Sequence, residues 1–260
     1  MDVWMQDRTW PEIEAYLVER QTVLLPVGST EQHGPHLPLG TDTIEAISVA
    51  EGVAERLDLL VAPPLWFGDA RSHLAYPGTV ALRPETMLDV LKDIYDSLAF
   101  HGFERVITVN GHRRANVPAI KLAAKQAKET NPEVEYVLAD LVQIAVSDHE
   151  ELMDGSPEDG THAGEFETSF VMTEKPDLVR EEEFEPQVGK PVSDRVTRSA
   201  LDKQDTLQTA SSWQENAAKR EESHPGHRGD PTQASAEKGA ELREAMIESV
   251  VEFVEDIQTR

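Results

Sequence analysis

Residues 27–43 read V-G-S-T-E-Q-H-G-P-H-L-P-L-G-T-D-T and continue an apolar run, Val23 to Val27, which predicts the end of a buried strand. In extended backbone, residues two apart face the same way, so Glu31 and His33 can converge on one point. The loop from Gly34 to Gly40 contains two prolines and two glycines, and it can fold back to bring Asp42 to the same point. A turn that only exposes polar side chains is the alternative. Three ligand types beside a strand end favour a metal site.

The composition limits what such a site can contain. The chain has 260 residues, which suffices for one large domain, and we predict a single α/β domain over residues 1–260. It has no cysteine, which excludes disulfides, thiolate nucleophiles and Cys-ligated metals. Any metal ion must therefore be held by histidine and carboxylate side chains. The N-terminus is acidic and no apolar run approaches about 18 residues, so we expect no signal peptide, no membrane span and a cytoplasmic location.

The charge is strongly negative. With 49 acidic and 24 basic residues, the net charge is -25. Such a surface would repel nucleic acid and anionic membranes, because affinity for either depends on Lys and Arg that neutralise phosphates. We expect neither as a partner. An acidic composition poor in lysine is typical of halophilic organisms, and an ordinary acidic cytosolic enzyme is the alternative.

Short apolar runs alternate with amphipathic segments along the chain. The runs predict strands at 22–27, 59–62, 105–109 and 134–141, and the segments predict helices at 9–19, 43–56, 83–101, 117–130, 161–172 and 232–257. This alternation indicates βαβ units and a mostly parallel sheet. Ligands bind outside the carboxyl ends of such strands, where Glu31, His33 and His112 all lie. Residues 175–223 are polar and weakly periodic, and we expect them to run over the surface.

Several alternatives stay open at this point. Asp42 or Thr43 could cap the helix at 43–56 instead of binding a metal. The loop at 66–79 could be a pocket wall that contains His73, or a packed surface loop. Ser29 and Thr30 raise the alternative of a hydroxyl nucleophile, although no G-x-S-x-G elbow supports it.

Four motifs carry a resemblance to a known family. They are G-S-T-E-Q-H-G-P-H-L-P-L-G-T-D-T at 28–43, N-G-H at 110–112, H-A-G-E-F-E-T-S at 162–169 and G-D-P-T-x-A-S-A-E-K-G at 229–239. In this order and spacing, from about Leu24 to Gly239, the chain resembles the creatininase (creatinine amidohydrolase) family. The resemblance implies a three-layer α/β/α fold, two divalent metal ions, hydrolysis of a small-molecule non-peptide amide and often a homohexamer. The mixture of N and O ligands makes zinc the first choice, with manganese or iron as alternatives.

Motif position also implies roles for individual residues. Glu31 and His112 would bind one ion, His33 the other, and Asp42 would bridge both. Glu167 would be a ligand or a proton carrier, and His162 would be the catalytic histidine beside the scissile bond. His36 would orient a ligand, and His73 would contact substrate. The other histidines are expected to be surface or capping residues without a role: His101, His149, His224 and His227.

Two departures from the family bear on the substrate. Creatinine-hydrolysing members have a Glu ligand two residues after the histidine of N-G-H, where this chain has Arg114, and a Trp four residues before the catalytic histidine, where it has Glu158. These departures argue against creatinine as the substrate. Arg113 and Arg114 would hold a carboxylate or phosphate of the substrate, or would pair with surface acids.

The first of these arginine roles favours an alternative function, a formylaminopyrimidine ribotide deformylase of flavin or deazaflavin biosynthesis. A second alternative is a non-catalytic, metal-binding oligomeric accessory protein. His162 and Glu167 together argue against the accessory protein, because a structural site would close its coordination shell and need no proton carrier.

Overall fold

The computed structural model describes residues 3–112, 115–144, 152–155, 162–187 and 213–258. Its strands are β1 (Thr22–Val27), β2 (Leu60–Val61), β3 (Arg105–Asn110) and β4 (Glu135–Asp140). Its α-helices are α1 (Trp10–Glu19), α2 (Thr41–Leu57), α3 (Pro84–His101), α4 (Asn116–Thr130), α5 (Leu141–Ile144), α6 (Glu165–Glu174), α7 (Trp213–Glu221) and α8 (Ala236–Gln258). The predicted residues Arg113, Arg114, His149 and Glu158 lie outside the described residues.

The four strands form one sheet in the order β2-β1-β3-β4, and every pairing is parallel. Val27 pairs with Asn110, and Asn110 pairs with Asp140. The carboxyl ends of β1, β3 and β4 therefore lie level at one edge of the sheet. This arrangement confirms the predicted parallel α/β sheet.

Two apolar cores cover the two faces of the sheet. Successive strand residues point to opposite faces, so Leu24 joins the core formed with α2, α6 and α8, whereas Val23 and Leu25 join the core formed with α3 and α4. Each fully buried Leu or Ile contributes roughly 1.5–3 kcal/mol. The result is the predicted three-layer α/β/α architecture, in which the sheet lies between two layers of helices.

Local sequence sets several helix ends as predicted. Thr9 and Glu12 form a capping box at the start of α1. Gly102, with φ of 102°, ends α3 in the left-handed conformation.

Other boundaries were predicted wrongly. α2 begins at Thr41 with Gly40 as its N-cap, so neither Asp42 nor Thr43 is the cap. α8 begins at Ala236, because Pro231–Gln233 forms a separate 3-10 turn. Residues 175–223 were predicted only to run over the surface, and Trp213–Glu221 is a helix within that stretch.

None of the helices in the described ranges is both long enough and apolar enough to span a lipid bilayer.

Candidate metal centre

The candidate ligands converge from three parts of the chain. The loop after β1 carries Glu31 and His33, and the first turn of α2 carries Asp42. His112 follows β3, and Glu167 lies in the first turn of α6. The side chains of Glu31, His33 and Asp42 are at most 3% exposed. The parallel sheet thus brings its carboxyl-end loops to one buried point, as the pattern of strands predicted.

The first group of potential ligand atoms comes from Glu31, Asp42 and His112, all within 4.8 Å of one another. His112 Nε2 lies 3.3 Å from Glu31 Oε2, and His112 Nδ1 lies 3.2 Å from Asp42 Oδ2. His112 Nε2 also lies 3.3 Å from the carbonyl oxygen of Asp69. Since a carbonyl only accepts hydrogen bonds, a neutral His112 carries its hydrogen on Nε2 and presents Nδ1 to an ion beside Asp42.

The second group comes from His33, Asp42 and Glu167, again within 4.8 Å. His33 Nε2 lies 3.4 Å from Asp42 Oδ1 and 3.7 Å from Glu167 Oε2. His33 Nδ1 donates to the carbonyl oxygen of Glu31 at 3.1 Å. In the neutral ring, the lone pair on Nε2 is then available to a metal ion. Asp42 belongs to both of these groups, and its two oxygens face different histidines. A third set of potential ligand atoms within 4.8 Å of one another comes from Glu31, His33 and His162 and does not include Asp42.

These residues fit a divalent ion. Among the described residues, neither His33 Nε2 nor Asp42 Oδ2 has a hydrogen-bond partner, although both are buried. Buried polar atoms nearly always have a hydrogen-bond partner, whereas these two only face other candidate ligand atoms at 3.2–3.4 Å, an arrangement that could accept a cation. Nitrogen and carboxylate oxygen donors suit zinc, manganese or iron.

The buried charged groups shift one another's pKa values. Although burial lowers the pKa values of His33 and His112, neighbouring carboxylates dominate and raise both, that of His112 to about 10. Burial would raise the pKa of Asp42, but His112 and His33 hold it well below its usual range. Burial raises the pKa of Glu167 to about 7. Positive charge is therefore favoured at the place where the ligand groups meet.

His73 and His162 form the more accessible side of the centre. Their side chains are 18% and 22% exposed, and their ring centroids lie 4.4 Å apart. His73 Nε2 and His162 Nδ1 lie 3.6 and 3.7 Å from the same oxygen of Glu31. Burial and then the neighbouring His73 lower the pKa of His162 well below its usual range, so its imidazole is neutral at pH 7. The loop around His73 thus contributes to the site.

Gln32 orients both of these histidines, and it was missed in the sequence analysis. Its Nε2 lies 2.8 Å from His73 Nδ1, 2.7 Å from His162 Nε2 and 2.9 Å from the carbonyl oxygen of Gly226. Its Oε1 accepts from the amide of Gly34, which fixes the orientation of the side-chain amide. An amide nitrogen has two hydrogens, so it donates to two of the three acceptors at a time. Its position between two candidate ligands was the only signal in the sequence.

His162 is not on a helix, contrary to the prediction that the helix begins near residue 161. It forms an isolated antiparallel bridge with Arg228, and Ala163 has φ of 52° before α6 starts at Glu165. The amide of Ala163 donates to Glu167 Oε2 in a short hydrogen bond. This turn, rather than a shared helix face, brings His162 and Glu167 to the same centre.

His36 and His227 support that turn. His36 Nε2 donates to the carbonyl oxygen of Ala163 at 2.9 Å, so it orients the backbone beside His162 and belongs to neither ligand group. The prediction that His227 is a surface or capping residue was wrong: it is fully buried, its ring centroid lies 4.8 Å from that of His36, and its Nε2 donates to the carbonyl oxygen of Glu185. Its role depends on a partner far away in the sequence.

Hydrogen bonds from two asparagine side chains hold the backbone around His112. Asn110 Nδ2 donates to the carbonyl oxygen of His112 at 3.0 Å, and Asn116 Nδ2 donates to the carbonyl oxygen of Gly28 at 2.9 Å and to Asn110 Oδ1 at 3.3 Å. Asn116 Oδ1 accepts from the amide of Asp69, whose carbonyl faces the His112 ring. Both asparagines are fully buried, and Asn116 was not predicted to contribute.

The remaining predicted residues belong to neither ligand group. Ser29 Oγ donates to the candidate ligand Glu31 Oε2 at 3.2 Å and so helps to position it, and Thr30 Oγ1 donates to the carbonyl oxygen of Trp66 at 2.8 Å. His101 is exposed at the end of α3, and His224 Nδ1 accepts from the amide of Gly226. Both are surface or capping residues, as predicted.

Comparison with known proteins agrees with this geometry. The family model for creatininase, creatinine amidohydrolase, matches residues 6–254. A creatinine amidohydrolase of Pseudomonas putida is 33% identical over 191 residues, which cover 68% of this chain and 74% of that protein. A mycofactocin precursor peptide peptidase of Mycolicibacterium smegmatis is 31% identical over 231 residues, which cover 86% of this chain and 81% of that protein.

Solved structures match over nearly the whole chain. A structure titled creatininase Mn superimposes with a TM-score of 0.76 and 27% sequence identity, covering 98% of each chain. A mutant creatininase described as Zn-Zn type has a TM-score of 0.75, 27% identity and the same coverage.

Proposed function

The chain belongs to the creatininase family, and from this premise we propose that it is a metal-dependent amidohydrolase. It would cleave a non-peptide carbon–nitrogen bond, such as that of a cyclic amide or a formamide. The observation that carries the proposal is that Asp42 is shared by the two ligand groups, an arrangement that suits a pair of divalent ions. When bound, such ions polarise a carbonyl oxygen and lower the pKa of a coordinated water toward neutrality.

Glu31, Asp42 and His112 would hold one ion, and His33, Asp42 and Glu167 would hold the other. Zinc is the first choice, and manganese or iron would suit the same mixed donors. The relatives solved in Zn-Zn and Mn forms support this choice of metals. Each histidine ligand has its second nitrogen tied to a backbone carbonyl, which prepares the ring for coordination before any ion arrives.

The chain's own residues supply the proton transfers. His162 is neutral, close to the centre and partly exposed, so it would first accept the proton that the attacking water gives up and then deliver it to the leaving nitrogen of a substrate that enters from its side. Glu167 is the alternative proton carrier: if it did not hold an ion, its pKa of about 7 would let it carry a proton near neutral pH. Gln32 Nε2 lies 2.7 Å from His162 Nε2 and would hold the ring with Nδ1 toward the centre.

The substrate would be a small molecule that passes His73 and His162. The named relatives act on creatinine and on a peptide, so family membership alone leaves several amides as candidates. The deformylase alternative depends on Arg113 and Arg114, which lie outside the described residues, and no described contact supports it. The cytoplasmic location, the halophilic origin and the homohexamer stay predictions.

Metal content tests the proposal. Wild-type protein purified without chelators should contain about two divalent ions per chain by plasma mass spectrometry, and Asp42→Ala should lose both because it removes the shared ligand. His162→Ala should keep the ions but lose hydrolysis in a screen of cyclic amides and formamides. Wild-type protein that binds no zinc, manganese or iron even after reconstitution would refute the metal-dependent hydrolase.

A further inference from the structure

Glu45 is a buried acid to which the proposed mechanism gives no role. It lies on α2 three residues after Asp42, and residues three apart lie on the same side of a helix. Glu45 is 0% exposed. Within the part of the chain that the structure describes, neither of its carboxylate oxygens has a hydrogen-bond partner.

An unpartnered acid at this depth requires an explanation. A buried charge is tolerated when an opposite charge compensates it, and otherwise the group takes up a proton. Burial, then the charges of Glu167 and Asp42, raise the pKa of Glu45 well above its usual range, whereas His33 acts in the opposite direction. These neighbours belong to the second ligand group, and Asp42 lies three residues before Glu45 on the same side of α2. The position of the buried Glu45 carboxyl group on α2 therefore places it beside that group.

The proposed centre has one positive charge that its carboxylate ligands do not neutralise. The two ligand groups contain three carboxylates, those of Glu31, Asp42 and Glu167, together with neutral histidines when ions are bound. Two divalent ions carry one more positive charge than these three acids neutralise as long as the coordinated water keeps its proton. In that state an ionised Glu45 would bring the buried centre to neutrality, and the ions in turn would compensate the buried charge of Glu45.

We propose that Glu45 is the fourth carboxylate of the centre and balances the charge of the ion held by His33, Asp42 and Glu167. This inference rests on the proposed function, since it requires two bound ions. The opposing explanation is that Glu45 is a permanently protonated acid that only fills space. Glu45→Gln separates the two, because glutamine keeps the size and polarity of the protonated acid but can never carry a negative charge.

The test measures affinity for zinc. Ion-free wild-type protein, Glu45→Gln and Glu51→Gln are titrated with zinc in competition with a chromophoric chelator. Glu51 is on the same helix and accepts from Trp4 Nε1 at 2.8 Å, away from the centre, so it is a matched control. Circular dichroism of the ion-free proteins checks that all three are folded. We expect Glu45→Gln to bind one zinc ion as wild type does and the other at least about tenfold more weakly, with Glu51→Gln unchanged.

Two further outcomes would overturn the inference, and they are distinguishable from failure of the proposed function. If wild type binds two ions and Glu45→Gln binds both with wild-type affinity, Glu45 has no share in the centre. If Glu51→Gln weakens binding as much as Glu45→Gln does, the effect comes from the helix and not from the charge. Wild-type protein without zinc binding would instead refute the proposed function itself, and this inference with it.

Discussion

Gly111 separates β3 from His112, and it has no room for a side chain. A Cβ at this position would lie 2.0 Å from the carbonyl oxygen and 2.9 Å from the carbonyl carbon of Asp42. Both are backbone atoms, so no rotamer change can relieve the contact. Because ordinary contact begins at 3.4 Å, Gly111→Ala requires the two backbone segments to separate by about 1.4 Å in a close-packed interior.

This displacement falls between two ligands of the same group. His112 follows Gly111 directly on one side of the contact, and Asp42 lies on the other. A functional site tolerates roughly 0.5 Å of displacement, and ligand distances at a metal vary by only about 0.2 Å. We therefore expect Gly111→Ala to weaken ion binding at the first ligand group by at least about 100-fold, with overpacking destabilising the fold by about 1–3 kcal/mol.

The assay combines zinc titration with thermal unfolding. Gly52→Ala is the control, because its Cβ would meet Ile247 Cδ1 at 2.3 Å, which is the far end of a flexible side chain on α8. Gly52 lies on α2, the helix that carries Asp42, but its substitution displaces a side chain of α8 and no ligand. Gly52→Ala should therefore bind zinc as wild type does. If Gly111→Ala binds two ions with wild-type affinity, the close approach of these backbones does not determine the geometry of the centre.

Two other predictions concern the histidines. Gln32→Met removes the amide that orients His162 and His73, so turnover should fall about 10- to 100-fold while ion content stays the same; unchanged kcat would show that the amide has no orienting role. In chelator-treated protein, the raised pKa values of His112 and His33 contribute stability that is fully present below the unfolded pKa of about 6.5 and is lost as the pH rises through the folded pKa values, which is about 10 for His112. Thermal unfolding temperatures measured across this window should therefore decline, and a profile that rises would contradict the charge arrangement.

The sheet and the main ligand cluster could be predicted because their signals are local. Short continuous apolar runs in the strands and helical periodicity in α3 distinguish the elements within a few residues. Glu31, His33 and Asp42 lie in one loop, and parallel strands bring His112 to the same edge. These relations need no knowledge of distant contacts.

The turn at His162 could not be predicted in the same way. Residues 161–169 are compatible with a helix, but the backbone of His162 bridges to Arg228, and Ala163 adopts a positive φ to allow it. Because of these tertiary contacts, α6 begins at Glu165 and not near residue 161. His227 and Glu45 were missed for the same reason, since the role of each depends on contacts with residues on another segment.

The order in which the ligands occur along the chain has a consequence for synthesis. Glu31, Asp42 and His112 are all present once β3 and its following loop have left the ribosome, whereas the second group needs Glu167 from a much later helix. Although a domain generally folds as a unit, a nascent chain already contains all three ligands of the proposed first ion before Glu167 is synthesised. Asp42, which would serve both ions, therefore has partners for the first ion only until α6 has been made.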